Sequence, residues 1–205
     1  MSQVATKRRT QAERSASMRA RLLDATLDCL QDLGYARTST PEIARRAGVS
    51  RGAQLHHFPT KAELVTSAVD YVFTQRREQF LRAFRERVDG GDPAEVAIDI
   101  LWSMISGPTF HAWLELTVAA RTDKELRGPV AALTDRLREI VERTFRELFP
   151  APATPNPFFD VAPRFAFALL DGLALERMQA PRAESEAAVI DALKALAKLV
   201  MPRTP

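Results

Sequence analysis

The chain has one cysteine, Cys29, eight glycines, two tryptophans, two tyrosines and three histidines among its 205 residues. Each scarcity closes off a class of protein. A lone cysteine makes no intrachain disulfide, which sets the chain apart from cross-linked secreted scaffolds and fits a reducing, cytoplasmic setting. Cys29 lies in an apolar-periodic stretch and reads as a small buried hydrophobe. No glycine-rich phosphate loop, nucleophile motif or carboxylate pair with a supporting context occurs, so an enzyme is not expected. Long apolar runs are missing too: Asp99 interrupts 96–105 and Asp171 interrupts 165–175, well short of the roughly 18 residues a membrane span needs. Lys7, Arg8 and Arg9 have no apolar stretch behind them, so residues 1–14 read as a flexible basic arm rather than a secretory signal. No segment alternates polar and apolar at a period of two, and no internal repeat is visible.

What is present is helix. With 46% of its residues hydrophobic, the chain can bury a substantial core and divide into a smaller and a larger unit. Leu22, Leu23, Thr26, Leu27, Leu30 and Leu33 recur at helical spacing before Gly34, predicting a helix over 16–33. Thr40-Pro41-Glu42 reads as an N-cap and first turn for 40–47, with Gly48 as its stop. Ser50 caps 51–57, and Thr60 with Glu63 forms a capping box opening a long helix through Val88. Beyond Gly90-Gly91-Asp92-Pro93, apolar periodicity predicts helices around 96–105, from Phe110 to near Arg121, and over 130–148. "PAPATPNP", residues 150–157, is a loop, and two last helices follow at about 160–179 and 183–200. The expected fold class is all-α, with about nine helices.

Charge is unevenly spread. Residues 1–61 hold eleven Lys/Arg and five acids, a net of +6, which leaves −3 for the rest of a chain whose total is +3. A polyanion is the natural partner for such a segment. Helices 40–47 and 51–57 meet at Gly48-Val49-Ser50, the layout of a helix-turn-helix whose second helix enters a major groove. Arg51 and Gln54 share a face and carry donors suited to base edges, while Gly52 and Ala53 let the backbone come close to a duplex. Leu55 and Phe58 are expected to pack inward. Thr40 and Lys61, beside the first turns of their helices, are candidate phosphate clamps. Adjacent helical residues diverge by about 100°, so His56 and His57 cannot share a metal. One is expected to donate to a phosphate and the other to pack near Phe58. No metal or cofactor is expected, and His111, beside Trp113, reads as a structural histidine.

The stretch "SMRARLLDATLDCLQDLGYARTSTPEIARRAGVSRGAQLHHFPTKAEL" resembles the DNA-binding domain of the tetracycline-repressor (TetR) family. The matching positions are Gly34-Tyr35, Thr40, Ile43-Ala44, Ala47-Gly48-Val49-Ser50, Gly52, His57-Phe58, Lys61 and Leu64. The resemblance implies a homodimeric regulator, usually a repressor, that leaves its double-stranded DNA operator when a small molecule binds the C-terminal domain. It also implies that Thr40, Arg51, Gly52, Ala53, His57 and Lys61 lie at or near DNA. The family commonly has Leu-Tyr where this chain has Gln54-Leu55, so literal carry-over would bury Gln54 and expose Leu55. Either the short helix is rotated, or the amide pairs with a neighbouring backbone group.

The expected organisation is an arm (1–14), a helix-turn-helix domain (15–62) and a helical effector-binding and dimerisation domain (63–205). The last two helices are apolar on nearly every face and so need two partners, one of which is expected to be a second subunit. Ala166, Leu169, Gly172 and Leu173, with Ile190, Leu193 and Leu196, are the candidate interface. A cavity lined by Trp102, Met104, Phe110 and Trp113, and by Leu116, Phe145, Phe165 and Leu169, is the candidate site for an apolar or aromatic effector. An activator of the same family, or a helical interaction protein without a DNA role, would share much of this pattern.

Overall fold

The structure, a computed structural model, describes residues 10–201. Among them are nine α-helices, a turn of 3-10 helix at Val88–Gly90 and no strand, the all-α class read from the sequence. The arm residues 1–9 lie outside the described residues. Residues 11–14, expected to belong to that arm, are instead the first turn of α1 (Gln11–Arg37), because Thr10 and Glu13 form a reciprocal capping box. Gly34 interrupts α1 at φ 70°, a left-handed conformation that glycine adopts without strain. A Cβ at this position would stand 3.0 Å from Glu115 Oε2.

α2 (Thr40–Ala47) is capped by Ser39, whose Oγ accepts from Glu42 N–H, rather than by Thr40, which is the first helical residue. Gly48, at φ 63°, closes it, and Ser50 caps α3 (Arg51–His57) by accepting from Ala53 N–H. α4 (Lys61–Arg87) opens with the expected Thr60–Glu63 box and runs without a break. The expected domain boundary at 62/63 therefore falls inside a continuous helix. α5 (Pro93–Ile105), α6 (Pro108–Ala119), α7 (Lys124–Leu148), α8 (Pro157–Gln179) and α9 (Ala183–Val200) complete the body. Asp92, Asp123 and Asn156 cap α5, α7 and α8 with their side-chain oxygens. These caps place the starts of α7 and α8 earlier than their apolar stripes suggest.

The largest apolar cluster joins Leu22 and Leu30 of α1, Ile43 of α2 and Leu64 and Val69 of α4 to Leu116 of α6 and Leu126 and Leu133 of α7. The three-helix head thus shares its core with the body. A second cluster packs Ile98, Ile105 and Phe110 against Leu170 and Leu173 of α8 and Ile190 and Leu193 of α9. A third gathers Phe84, Ile100, Phe149 and Phe159. Lys194–Asp99 (2.6 Å) and Lys198–Glu95 (2.5 Å) tie α9 to α5 at the surface, where solvent screens them.

Candidate nucleic-acid interface and interior cavity

α3 divides its residues sharply. Arg51, Gly52, Leu55 and His56 are exposed, Ala53 and His57 are half-buried, and Gln54 is fully buried. Gln54 and Phe58, four apart, share the inward face, whereas the three-apart pair Leu55 and Phe58 was expected there. The Gln54 amide donates from Nε2 to the Phe58 carbonyl (2.8 Å). Its Oε1 is the one buried side-chain polar atom among the described residues with no hydrogen-bond partner, an arrangement that costs about 1–3 kcal/mol. Gln54 therefore does not present its amide to a duplex in this conformation, and of the pair expected to read base edges only Arg51 is exposed. The two histidine rings stand edge to face, 5.5 Å between centroids.

Several cations counted in the basic segment are already engaged. Arg45 and Arg46 both grip Glu42 (2.7 and 2.9 Å), and Arg46 also grips Asp32 (2.5 Å). Hydrogen bonds from Arg45 and then Arg46 hold the Glu42 carboxyl down to about 2. Lys61 donates from Nζ to the Tyr35 carbonyl (2.8 Å) and lies 3.9 Å above the Tyr35 ring centroid. Burial lowers its affinity for its proton, against the pull of Asp123. Lys61 thus clamps α1 to α4 here instead of reaching outward. Thr40 is half-buried at the start of α2. Arg19, over the Phe58 ring at 4.6 Å, and Arg21, beside Gly48, are exposed cations flanking the turn and α3. Their pairing in "RAR" on α1 was the available sequence signal.

A polar seam joins this head to the body. Glu115 of α6 accepts from Tyr35 N–H (2.9 Å), and Tyr35 Oη donates to Asp123 (2.8 Å), which also caps α7. Burial and then the Asp123 contact push the Tyr35 phenol well above its ordinary range.

Inside the body a cavity of about 480 Å³ opens between α4, α5, α6, α7, α8 and α9. Met104, Phe110, Trp113, Phe145 and Phe165 line it. Trp102, Leu116 and Leu169 do not. Leu116 is sealed into the cluster shared with α1 and α4, Trp102 lies under Arg177 (5.6 Å to its centroid), and Trp102 and Leu169 both pack on the second cluster. The expected shortage of charge is also corrected, since Arg76, Arg77 and Asp171 reach the wall alongside Thr109 and Thr144. Arg76 donates to the Met104 carbonyl and to Thr109 Oγ1 (2.7 Å). Arg77 is paired with Glu147 (2.5 Å) and Thr144 (3.0 Å). Desolvation pushes the Asp171 carboxyl up to about 6.

The expected interface residues separate in the same way. Leu173, Ile190 and Leu193 are buried in the chain's own second cluster and cannot form an outer face; Ala166 and Leu169 pack against that cluster, half-buried. Gly172 is exposed, and Leu196 is 42% exposed. With them on the outside of α8 and α9 stand Phe158, Val161, Phe165, Leu175, Met178 and Leu199, the last 84% exposed.

Residues 22–68 match the family of bacterial regulatory proteins named for TetR, and residues 105–201 match the C-terminal region of BetI-type transcriptional repressors. An HTH-type transcriptional regulator of Mycobacterium tuberculosis, Rv2912c, is 32% identical over 188 residues, which are 92% of this chain and 96% of that one. The chain belongs to the TetR family. A second relative by sequence, the HTH-type transcriptional regulator CymR of Pseudomonas putida, is 35% identical over 136 residues, covering 66% of this chain and 67% of its own. Two solved structures share the fold at 24% identity. One is a transcriptional regulator from Rhodococcus sp. Rha1 (TM-score 0.68; 91% of this chain and 99% of that one). The other is NalD of Pseudomonas aeruginosa (TM-score 0.61; 93% and 98%). This TetR-family chain is accordingly a transcriptional regulator with a helix-turn-helix head, and its relatives are regulators rather than enzymes. No helix of the described residues is long and apolar enough to cross a membrane.

Proposed function

We propose that this TetR-family regulator is a homodimeric repressor that holds a palindromic operator with two copies of α3 and releases it when a small, largely apolar molecule fills the cavity. The observation that carries this reading is the span of α4. One unbroken helix bears Lys61 against Tyr35 of the head and Phe73, Arg76, Arg77 and Phe80 in the cavity wall. A molecule that prefers one placement of α4 therefore biases the placement of the head, which is the differential affinity that coupling requires. In this reading the head takes in residues 15–62 together with the first turns of α4, and the remaining helices hold the effector and the second subunit.

At the duplex, Arg51 reads a base edge, and Gly52 and Ala53 allow close approach. Thr40, His56 and His57, with Arg19 and Arg21, supply contacts to phosphate, while Lys61 holds α1 to α4. Leu55, one turn from Arg51 on the outward face, suits a thymine methyl group. The exposed apolar strip along α8 and α9 is the surface that a second copy covers, and a twofold pair of heads matches a palindrome.

Selection of binding sites from a randomised duplex pool tests the reading. The selected sites should be palindromic. At fixed salt, Arg51→Ala should weaken binding to them by about 1–3 kcal/mol and relax the preference at one base pair of each half-site. An unchanged affinity overturns the assignment of α3. A screen of thermal midpoints against metabolites identifies ligands of the native state, and those ligands should also release the selected duplex.

A further inference from the structure

Three ionisable side chains reach the largely apolar cavity wall, and only one of these is a cation with no carboxylate partner among the described residues. Arg77 is neutralised by Glu147. Asp171 is an acid rather than an anion-binding group, and desolvation lets it shed its charge as the pH falls through about 6. Arg76 has no such recourse, because a guanidinium does not lose its proton in a protein. It is half-buried, and no carboxylate among the described residues comes within salt-bridge distance of it. Its partners are both neutral, the Met104 carbonyl and the Thr109 hydroxyl. They use two of the five N–H groups of the fork and leave the rest for another acceptor.

The surroundings favour an anion as well. Thr109 lies in the first turn of α6, which starts at Gly107 without a side-chain cap, and Arg76 Nη2 stands 3.8 Å from where a Gly107 Cβ would be. The positive end of that helix and the guanidinium point their fields at the same corner. Phe110 and Trp113, further along α6, continue the wall in apolar surface.

We propose that the effector is an organic acid, with an aromatic or alkyl body in the cavity and a carboxylate docked on the Arg76 fork beside the start of α6. This rests on the reading of the cavity as the effector site and names the chemical class it takes. The bound carboxylate competes with Met104 and Thr109 for Arg76, so it alters the contact between α4 and the α5–α6 junction. The body of the ligand supplies burial and the carboxylate supplies selection.

The test compares three acids, naphthalene-2-carboxylate, 3-phenylpropionate and decanoate, each with its primary amide and its primary amine. Binding to the full chain without DNA is read by tryptophan fluorescence, Trp113 being in the wall, and by calorimetry. At least one acid should bind about tenfold or more tightly than its amide, the minimum expected of a charge-assisted pair, and its amine should bind more weakly still. In Arg76→Gln the acid should fall to the level of the amide while amide binding persists. Arg76→Lys, which keeps the charge and loses the fork, should retain part of the preference. Amides or amines that equal or surpass the acids overturn the proposal, as does an acid preference that survives Arg76→Gln, or the failure of all three acids to bind. The ranking on the unmodified chain decides the matter even if neither variant folds. An acid that binds through Arg76 but leaves the selected duplex bound counts against the repressor reading alone.

Discussion

Gln54 holds the most costly polar atom inside the head. Its Nε2 closes the end of α3 on the Phe58 carbonyl while Oε1 is left without a partner. Replacing it by leucine, of similar volume, removes the stranded oxygen along with the one bond. Because it also takes the donor from the Phe58 carbonyl, Gln54→Leu exchanges one unpaired oxygen for another and should leave stability in urea unfolding within about 1 kcal/mol of the parent, with DNA affinity at its original level. Asp171 makes a second argument at the same scale. Its folded carboxyl titrates near 6, above the ordinary 3.8, so folding carries a penalty that is absent below about pH 4, grows between 4 and 6 and is complete above 6. Discounted for its partial access to solvent, that penalty is roughly 1–2 kcal/mol. The stability of Asp171→Asn relative to the parent should rise by that amount between pH 4 and pH 7 in thermal or denaturant unfolding, and a flat difference would contradict the assignment.

Helix ends were easier to read than helix faces. Ser50, the Thr60–Glu63 box and Gly48 mark their boundaries because a cap is a local hydrogen bond between a side chain and the next turn, written within four residues. Ser39 won over Thr40 because both residue types cap, and only the geometry decides which one has extended backbone. Faces depend on what lies opposite. α8 is apolar all round, so its sequence does not say that Leu173 turns inward while Leu175 turns out. Leu116 looked like cavity lining because nothing local records that α1 lies across it. Arg76 and Asp171 are illegible as cavity lining for a related reason: a single charge in an apolar stripe has the pattern of a solvated side chain, and only the packing of six helices places both on one wall. Gly34 shows a stop signal whose second purpose was hidden. Its positive φ ends the helical run, and its missing Cβ leaves room for Glu115 to reach Tyr35 N–H. Gly34→Ala should destabilise the chain by about 1–2 kcal/mol through backbone strain alone, with more from displacement of Glu115, measurable as a lowered thermal midpoint.

Over the whole molecule, the surface of the head differs from the outer face of α8 and α9. Free cations cluster on α1 and α3, whereas Arg45 and Arg46 are consumed by Glu42 and Asp32. Exposed apolar side chains collect on α8 and α9. Leu175 and Leu199 belong to that strip and stay clear of both the cavity and the buried clusters. Leu175→Glu combined with Leu199→Glu should shift the proposed dimer to monomer in sedimentation, with the far-ultraviolet circular dichroism of the parent retained. A double variant that still sediments as a dimer would place the subunit contact elsewhere.

The continuity of α4 also has a mechanical meaning. Lys61 and Arg76 are fifteen residues apart on an uninterrupted rod, about 22 Å at 1.5 Å per residue. Pivoting such a rod by about 5° at its inner end would swing the outer end by about 2 Å. Two copies moving in mirror fashion would misplace the paired α3 helices by up to twice that against grooves whose spacing the duplex fixes. In the proposed repressor, stiffness, not flexibility, is thus what would let a molecule in the cavity be felt at the DNA.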